Sequence, residues 1–102
     1  MRTIIIDDES RARQSIINLI KLSGIQINIV AEAESVDSGF NMITKYEPDL
    51  ILLDINLQDG TGFDLLKKLP SIPFKIIFIT AYEEFAIKAF EFSAIDYLLK
   101  PL

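Results

Sequence analysis

The chain contains no cysteine and no histidine. Without thiols there is no disulfide framework, no thiolate metal site and no thiol nucleophile; without imidazole the usual zinc constellations and the Ser/His/Asp triad are excluded too. Any chemistry falls to carboxylates, hydroxyls, lysine or backbone. Positive charge is scarce: ten Lys and Arg stand against fifteen Asp and Glu, a formal charge of −5. Lys67-Lys68 is the one adjacent basic pair, so this segment offers no basic patch for nucleic acid. No apolar stretch approaches the roughly 18–20 residues of a membrane span. The start, Met1-Arg2-Thr3-Ile4, runs into a strand without a charged leader and cleavage site, which points to a cytoplasmic protein with no membrane contact. With 102 residues the expectation is one domain, residues 1–102, and no second one.

What is present alternates. Apolar runs are followed by segments of helical period along the whole chain, the pattern of parallel strands joined by helical crossovers. The first strand is read over Arg2 to Asp7 and the first helix over Glu9 to Leu22, with Ala12, Ile16, Leu19 and Ile20 as its stripe and Ser23-Gly24 as its end. A second strand covers Ile27 to Ala33. Ser35 caps a second helix running to about Tyr46, and Pro48 follows its end. The third strand is Asp49 to Asp54, followed by the Gly-rich loop Leu57 to Gly62 and a short helix, Phe63 to Leu69. A fourth strand (Lys75 to Thr80), a fourth helix (Glu83 to about Phe92) and a fifth strand (Ala94 to Leu99) complete the chain. Right-handed crossovers place helices on both faces of such a sheet, and ligands bind beyond the carboxyl ends of its strands.

Asp7, Asp8, Asp54, Thr80 and Lys100 all fall at those ends. Three carboxylates at one edge repel one another unless a cation joins them, and an oxygen-only donor set favours a hard ion such as Mg2+ or Mn2+. Lys100 adds a point charge able to pair with a carboxylate or a phosphoryl oxygen. Asp54 is then a candidate nucleophile that forms an acyl phosphate. Blander accounts exist for each residue. Asp7 and Asp8 could cap the first helix, Asp54 could begin a turn, Thr80 and Tyr97 could be ordinary strand residues, and Lys100 an exposed lysine.

The acidic pair Asp7-Asp8, Asp54, Thr80-Ala81, and Tyr97 with Lys100-Pro101 together resemble the receiver domain of a two-component response regulator. The resemblance covers essentially all 102 residues. It implies a flavodoxin-like five-stranded parallel sheet of order 2-1-3-4-5, phosphorylation of Asp54 by a histidine kinase, and a metal held by Asp8, Asp54 and the main-chain carbonyl of Asn56, with Asp7 reaching it through water. It further implies that Thr80, Ala81 and Lys100 bind the phosphoryl group, that Tyr97 is a switch residue, and that the Lys100–Pro101 peptide bond is cis. On this account the protein is not an enzyme beyond its own phosphorylation and dephosphorylation. The stretches Ile79 to Ala86, Ala89-Phe90-Glu91 and Asp96 to Pro101 are similar to receivers that precede a LytTR-type DNA-binding domain, which implies a transcription regulator as parent.

Two departures stand out. Gln58 occupies a place where many receivers carry proline, which predicts a looser loop. The chain also stops at Leu102, after the fifth strand, so the family's fifth helix is absent and a row of apolar side chains on the fourth and fifth strands is expected to face water. Self-association is the expected consequence. Phe85, Phe90, Phe92 and Tyr97 mark the face of the fourth helix and fifth strand as a partner or dimer surface, with core packing accounting for two of the four. Three other classes remain open: an aspartyl-phosphate phosphatase or phosphotransferase, for which Asn56 stands where a second aspartate is usual; a flavin protein, whose phosphate Asp7-Asp8-Glu9 would repel; and an interaction module that is never phosphorylated.

Overall fold

The computed structural model describes residues 1–102. Its elements run β1 (Arg2–Ile6), α1 (Ser10–Ser23), β2 (Asn28–Ala33), α2 (Val36–Tyr46), β3 (Leu50–Leu53), β4 (Asn56–Leu57), β5 (Gly60–Thr61), α3 (Gly62–Lys68), β6 (Lys75–Thr80), α4 (Ala86–Glu91) and β7 (Asp96–Leu99), with a 3-10 turn at Glu83–Phe85. Five strands form one parallel sheet in the order β2-β1-β3-β6-β7. This is the expected 2-1-3-4-5 topology; the higher numbers arise because β4 and β5 make a separate antiparallel hairpin between β3 and α3.

The strands at the centre are apolar on both faces because helices cover both. Ile4, Ile5 and Ile6 of β1 and all of β3 are buried, as a parallel sheet between two helical layers requires. A 17-residue core lies on one face and takes Val36 and Ile43 from α2, Phe63, Leu65 and Leu66 from α3, and Ala89 from α4. The other face carries a five-residue core, in which Ile16 meets Ile5, Leu50, Leu52 and Ile79. Ile17 and Ile20 of α1 pack beside it, so the inward stripe is Ile16, Ile17 and Ile20. Leu19, expected inside, is exposed: a stripe at i, i+1 and i+4 leaves residue 19 on the flank. Of the apolar row expected to face water, Ile79 is buried while Ile77 and Leu98 are only half-buried.

Local chemistry sets the element ends. Gly24 takes the left-handed conformation (φ 74°) that closes α1. Ser35 caps α2 by accepting from the Ser38 amide, in a reciprocal box with the Ser38 hydroxyl. The fourth helix is shorter than its periodicity predicts. Its first turn is 3-10, and Ser93 at φ 67° ends it; the Ala94 amide then bonds back to Ala89, so β7 starts only at Asp96. No helix is long and apolar enough to cross a membrane.

Candidate functional site

Backbone pairing brings the candidate residues together. Ile6 of β1 lies opposite Leu53 of β3, and the ladder continues one residue further, with the Asp54 amide donating to Ile6 at 2.9 Å and the Asp7 amide to Ala33 at 3.0 Å. Asp7 and Asp54 therefore leave adjacent strands at the same level. On the other side, Thr80 pairs with Leu99, and the Lys100 amide donates to the Thr80 carbonyl at 2.8 Å. Four strand ends thus meet at the carboxyl edge of the sheet.

Asp7 is 1% exposed, Asp54 6% and Thr80 0%. Such groups need partners, and they have them. Lys100 Nζ donates to Asp7 Oδ2 at 2.7 Å and to Asp54 Oδ2 at 3.0 Å. The remaining Asp54 oxygen accepts from the Ile55 amide at 2.7 Å, and the remaining Asp7 oxygen from the Glu9 amide at 2.9 Å. Burial works against the Lys100 charge, but its hydrogen bonds with both carboxylates and their negative charge outweigh that cost, so its pKa is raised. Asp8 is half-buried. Glu9, not Asp8, stands at the N-cap of α1, and no side chain caps that helix. Helix capping therefore does not account for the pair Asp7-Asp8.

One carboxylate oxygen each from Asp7, Asp8 and Asp54 lies within 4.8 Å of the others. Two oxygens bound to one Mg2+ sit at most about 4.2 Å apart, given bonds of roughly 2.1 Å, and the ion commonly retains several waters. The three side chains fit such an ion with a small inward shift or with one carboxylate bound through water. Their oxygen-only chemistry suits it as well.

The loop after Asp54 is held from both sides. Asp59 accepts from the Val36 and Asp37 amides at 2.6 and 3.1 Å, so it caps α2 from a distance in sequence. The Asn56 side-chain amide donates to the Tyr82 hydroxyl at 2.6 Å. Together with the β4–β5 hairpin these bonds tie the loop that carries Gln58 to α2 and to the segment after β6. Gly62 closes the loop: its amide donates to Ile55 at 2.7 Å, and a Cβ there would stand 2.5 Å from the Asp54 carbonyl oxygen. Only glycine allows the start of α3 to come that near the Asp54 main chain.

Toward β7, the Tyr97 hydroxyl donates to the Tyr82 carbonyl, and burial pushes the Tyr97 phenol above its ordinary pKa, which keeps it a donor. Phe85, Phe92 and Tyr97 all pack against the larger core. That is three of the four aromatics, where sequence reasoning allotted two; Phe90 alone is exposed. Ala81 is exposed just beyond Thr80, and the Lys100–Pro101 peptide bond is cis.

Sequence reasoning missed Arg13, Asp59 and Tyr82. Arg13 donates to the Asp7 carbonyl at 2.6 Å and to Glu32 at 2.9 Å, tying the end of β1 to β2. Its signal was a charged residue three and four positions before Ile16 and Ile17, on the inward stripe. Asp59, ahead of a glycine, reads only as a turn residue, and nothing local marks its partner 23 residues away.

The model of the response regulator receiver domain matches residues 3–102. The chain is 42% identical over 103 residues to the sensory transduction protein LytT of Bacillus subtilis, covering 99% of this chain and 42% of that protein. It is 44% identical over 104 residues to the sensory transduction protein LytR of Staphylococcus haemolyticus, covering 99% of this chain and 40% of that one. The chain thus spans less than half the length of these relatives. Among solved structures, the response regulatory domain of mrkE from Klebsiella pneumoniae superimposes with a TM-score of 0.89 at 35% identity, covering 100% of this chain and 84% of that one. A DNA-binding response regulator of the LuxR family from Staphylococcus aureus gives 0.86 at 27% identity, covering 99% and 87%.

Proposed function

The chain belongs to the response regulator receiver domain family of two-component signalling, and on that premise we propose that Asp54 accepts a phosphoryl group from a histidine kinase and thereby switches an output unit. The observation that carries this reading is a carboxylate only 6% exposed, held 3.0 Å from a lysine, with the oxygens of Asp7 and Asp8 within 4.8 Å. An Asp54 oxygen attacks phosphorus; the new O–P bond forms as the bond to the donor breaks, and the donor group leaves with that electron pair. Lys100 Nζ, already shared between two carboxylates, turns part of its charge to the incoming phosphoryl oxygens. Thr80 offers them a hydroxyl from a buried position. Asp8, Asp54 and the Asn56 carbonyl, with Asp7 through water, would hold Mg2+ or Mn2+, and the ion would supply positive charge against the phosphoryl oxygens.

Phosphorylation then draws the Thr80 hydroxyl toward the new oxygens, Tyr97 turns inward, and the α4–β7 face repacks. Exposed Ile87, Phe90 and Ile95 make that face the surface for a second copy or an output unit. The formal charge of −5 leaves DNA contact to another part of the parent protein, in which this receiver controls transcription from the cytoplasm. A phosphatase acting on separate substrates is disfavoured, because the Asn56 amide is engaged with Tyr82 and holds no acidic proton to give a leaving group.

Incubation with acetyl phosphate and Mg2+ tests the site by intact mass. The expected result is a gain of one phosphoryl group that disappears with EDTA and in Asp54→Asn. Label that persists in Asp54→Asn or without metal contradicts it.

A further inference from the structure

Asp8 stands apart from the other two carboxylates of the cluster. The oxygens of Asp7 and Asp54 are fixed by Lys100 and by the Glu9 and Ile55 amides, whereas no such bonds aim the half-buried Asp8 side chain. Its direction therefore follows from its main chain. The peptide unit between Asp7 and Asp8 is planar from one Cα to the next, so a group that holds the Asp7 carbonyl oxygen also sets where Asp8 begins. That oxygen accepts from Arg13 Nη1 at 2.6 Å.

Arg13 is held on every side. Its amide closes the first turn of α1 on the Glu9 carbonyl at 3.1 Å, and its side chain reaches back past that turn to Asp7. The guanidinium side chain is 14% exposed, and its Nε donates to Glu32 Oε1 on β2 at 2.9 Å. Two bonds from one planar fork leave it little freedom. The Asp7 amide meanwhile donates to Ala33 of β2 at 3.0 Å, so both main-chain groups of Asp7 are anchored to that strand, one directly and the other through Arg13. No side chain caps α1 to fix the same turn in another way.

We infer that Arg13 is a positioning residue for the divalent cation: it aims Asp8 by fixing the peptide unit between Asp7 and Asp8, and so sets metal affinity without touching the metal. The inference rests on the reading of Asp7, Asp8 and Asp54 as a metal site. Charge and position make opposite demands on it. A guanidinium bonded to Asp7 repels a dication, so its removal would tighten binding if charge alone mattered. Loss of aim loosens binding instead. Groups that orient a metal ligand from behind typically change affinity by about 10- to 100-fold, and one ligand among several places Arg13 at the lower end.

Electron paramagnetic resonance counts free Mn2+ and gives its dissociation constant with no phosphoryl donor present. Arg13→Met keeps much of the stem and removes the fork; Arg13→Lys keeps the charge but cannot reproduce both bonds. The dissociation constant is expected to rise about 10-fold in Arg13→Met and by a smaller factor in Arg13→Lys. Labelling by acetyl phosphate should be slow in both variants at limiting Mn2+ and reach the wild-type rate at saturating Mn2+, the pattern of a binding defect. A constant unchanged or lowered in either variant, or a labelling deficit that saturating Mn2+ does not remove, overturns the inference. Should Arg13→Met fail to fold, Arg13→Lys decides by the same criteria. Wild-type protein that binds no Mn2+ defeats the metal reading and the inference together, whereas wild type and variants that bind it equally well defeat the inference alone. Failure of wild-type labelling counts against Asp54 as acceptor, and the dissociation constants then decide the role of Arg13.

Discussion

Lys100 holds two carboxylates at once, 2.7 Å from Asp7 and 3.0 Å from Asp54. Replacing it with methionine leaves both acids buried without their cation, a loss of about 3 kcal/mol by comparison with other broken buried pairs. A divalent cation among Asp7, Asp8 and Asp54 would bring positive charge to the same two carboxylates, so the loss measured by urea unfolding should shrink when millimolar Mg2+ is present; an equal loss in both buffers would separate the lysine from a metal site. Gly62 makes a sharper demand. Its missing Cβ would meet the Asp54 carbonyl oxygen at 2.5 Å and Leu53 Cγ at 3.0 Å, and main chain yields little. Gly62→Ala is expected to cost about 1–3 kcal/mol and to slow acetyl phosphate labelling, and wild-type values in both measurements would disprove the close approach. Asp7, Asp8, Asp54, Thr80 and Lys100 were legible in the sequence because they follow or end apolar runs, whereas Asn56, Ala81 and Tyr97 were marked only by the family resemblance. Arg13 and Tyr82 were not, since their partners are main-chain or side-chain groups brought near only by the sheet.

At the level of elements, the central strands could be read because they are continuous β-branched and leucine runs. The β4–β5 hairpin could not, with two residues on each side and no period to detect. The hairpin nonetheless positions Asp59, whose hydrogen bond from the Val36 amide, seconded by that from Asp37, holds its carboxyl below the ordinary value of 3.8. A depressed carboxylate contributes stability that is present above that value and is lost as pH falls through the lower folded pKa. The account therefore predicts that wild-type protein loses part of its stability below about pH 4 through the α2–loop tie, and that Asp59→Asn is weaker at neutral pH with a shallower acid decline. Thermal melts from pH 3 to 7 measure both; identical slopes would remove Asp59 from the acid response. Ser35→Ala, by contrast, is expected to cost about 1 kcal/mol at every pH, because its cap carries no charge.

Across the whole molecule the two faces of the sheet are unequally furnished, with 17 buried core residues on the side of α2, α3 and α4 and five on the side of α1. An open depression of about 220 Å3 between Ala12, Ile16, Leu19, Ile79 and Pro101 lies on the smaller side. Exposed Leu22 and Ile25 lie at the far end of α1, and exposed Ile87, Phe90 and Ile95 on the α4–β7 face. Apolar exposure at both places predicts self-association, which sedimentation should show as mass rising with concentration and which Phe90→Glu should reduce if α4 is the contact. A monomer at every concentration would contradict the expectation. The central claim is narrower, that the convergence of four strand ends makes Asp54 a phosphoryl acceptor. Its most direct measurement is reductive trapping: protein treated with acetyl phosphate and Mg2+ is quenched with borohydride, which converts an acyl phosphate into homoserine, and peptides are sequenced by mass spectrometry. The account predicts homoserine at position 54 and nowhere else; trapping at Asp7, Asp8 or another carboxylate, or none at all, would contradict it.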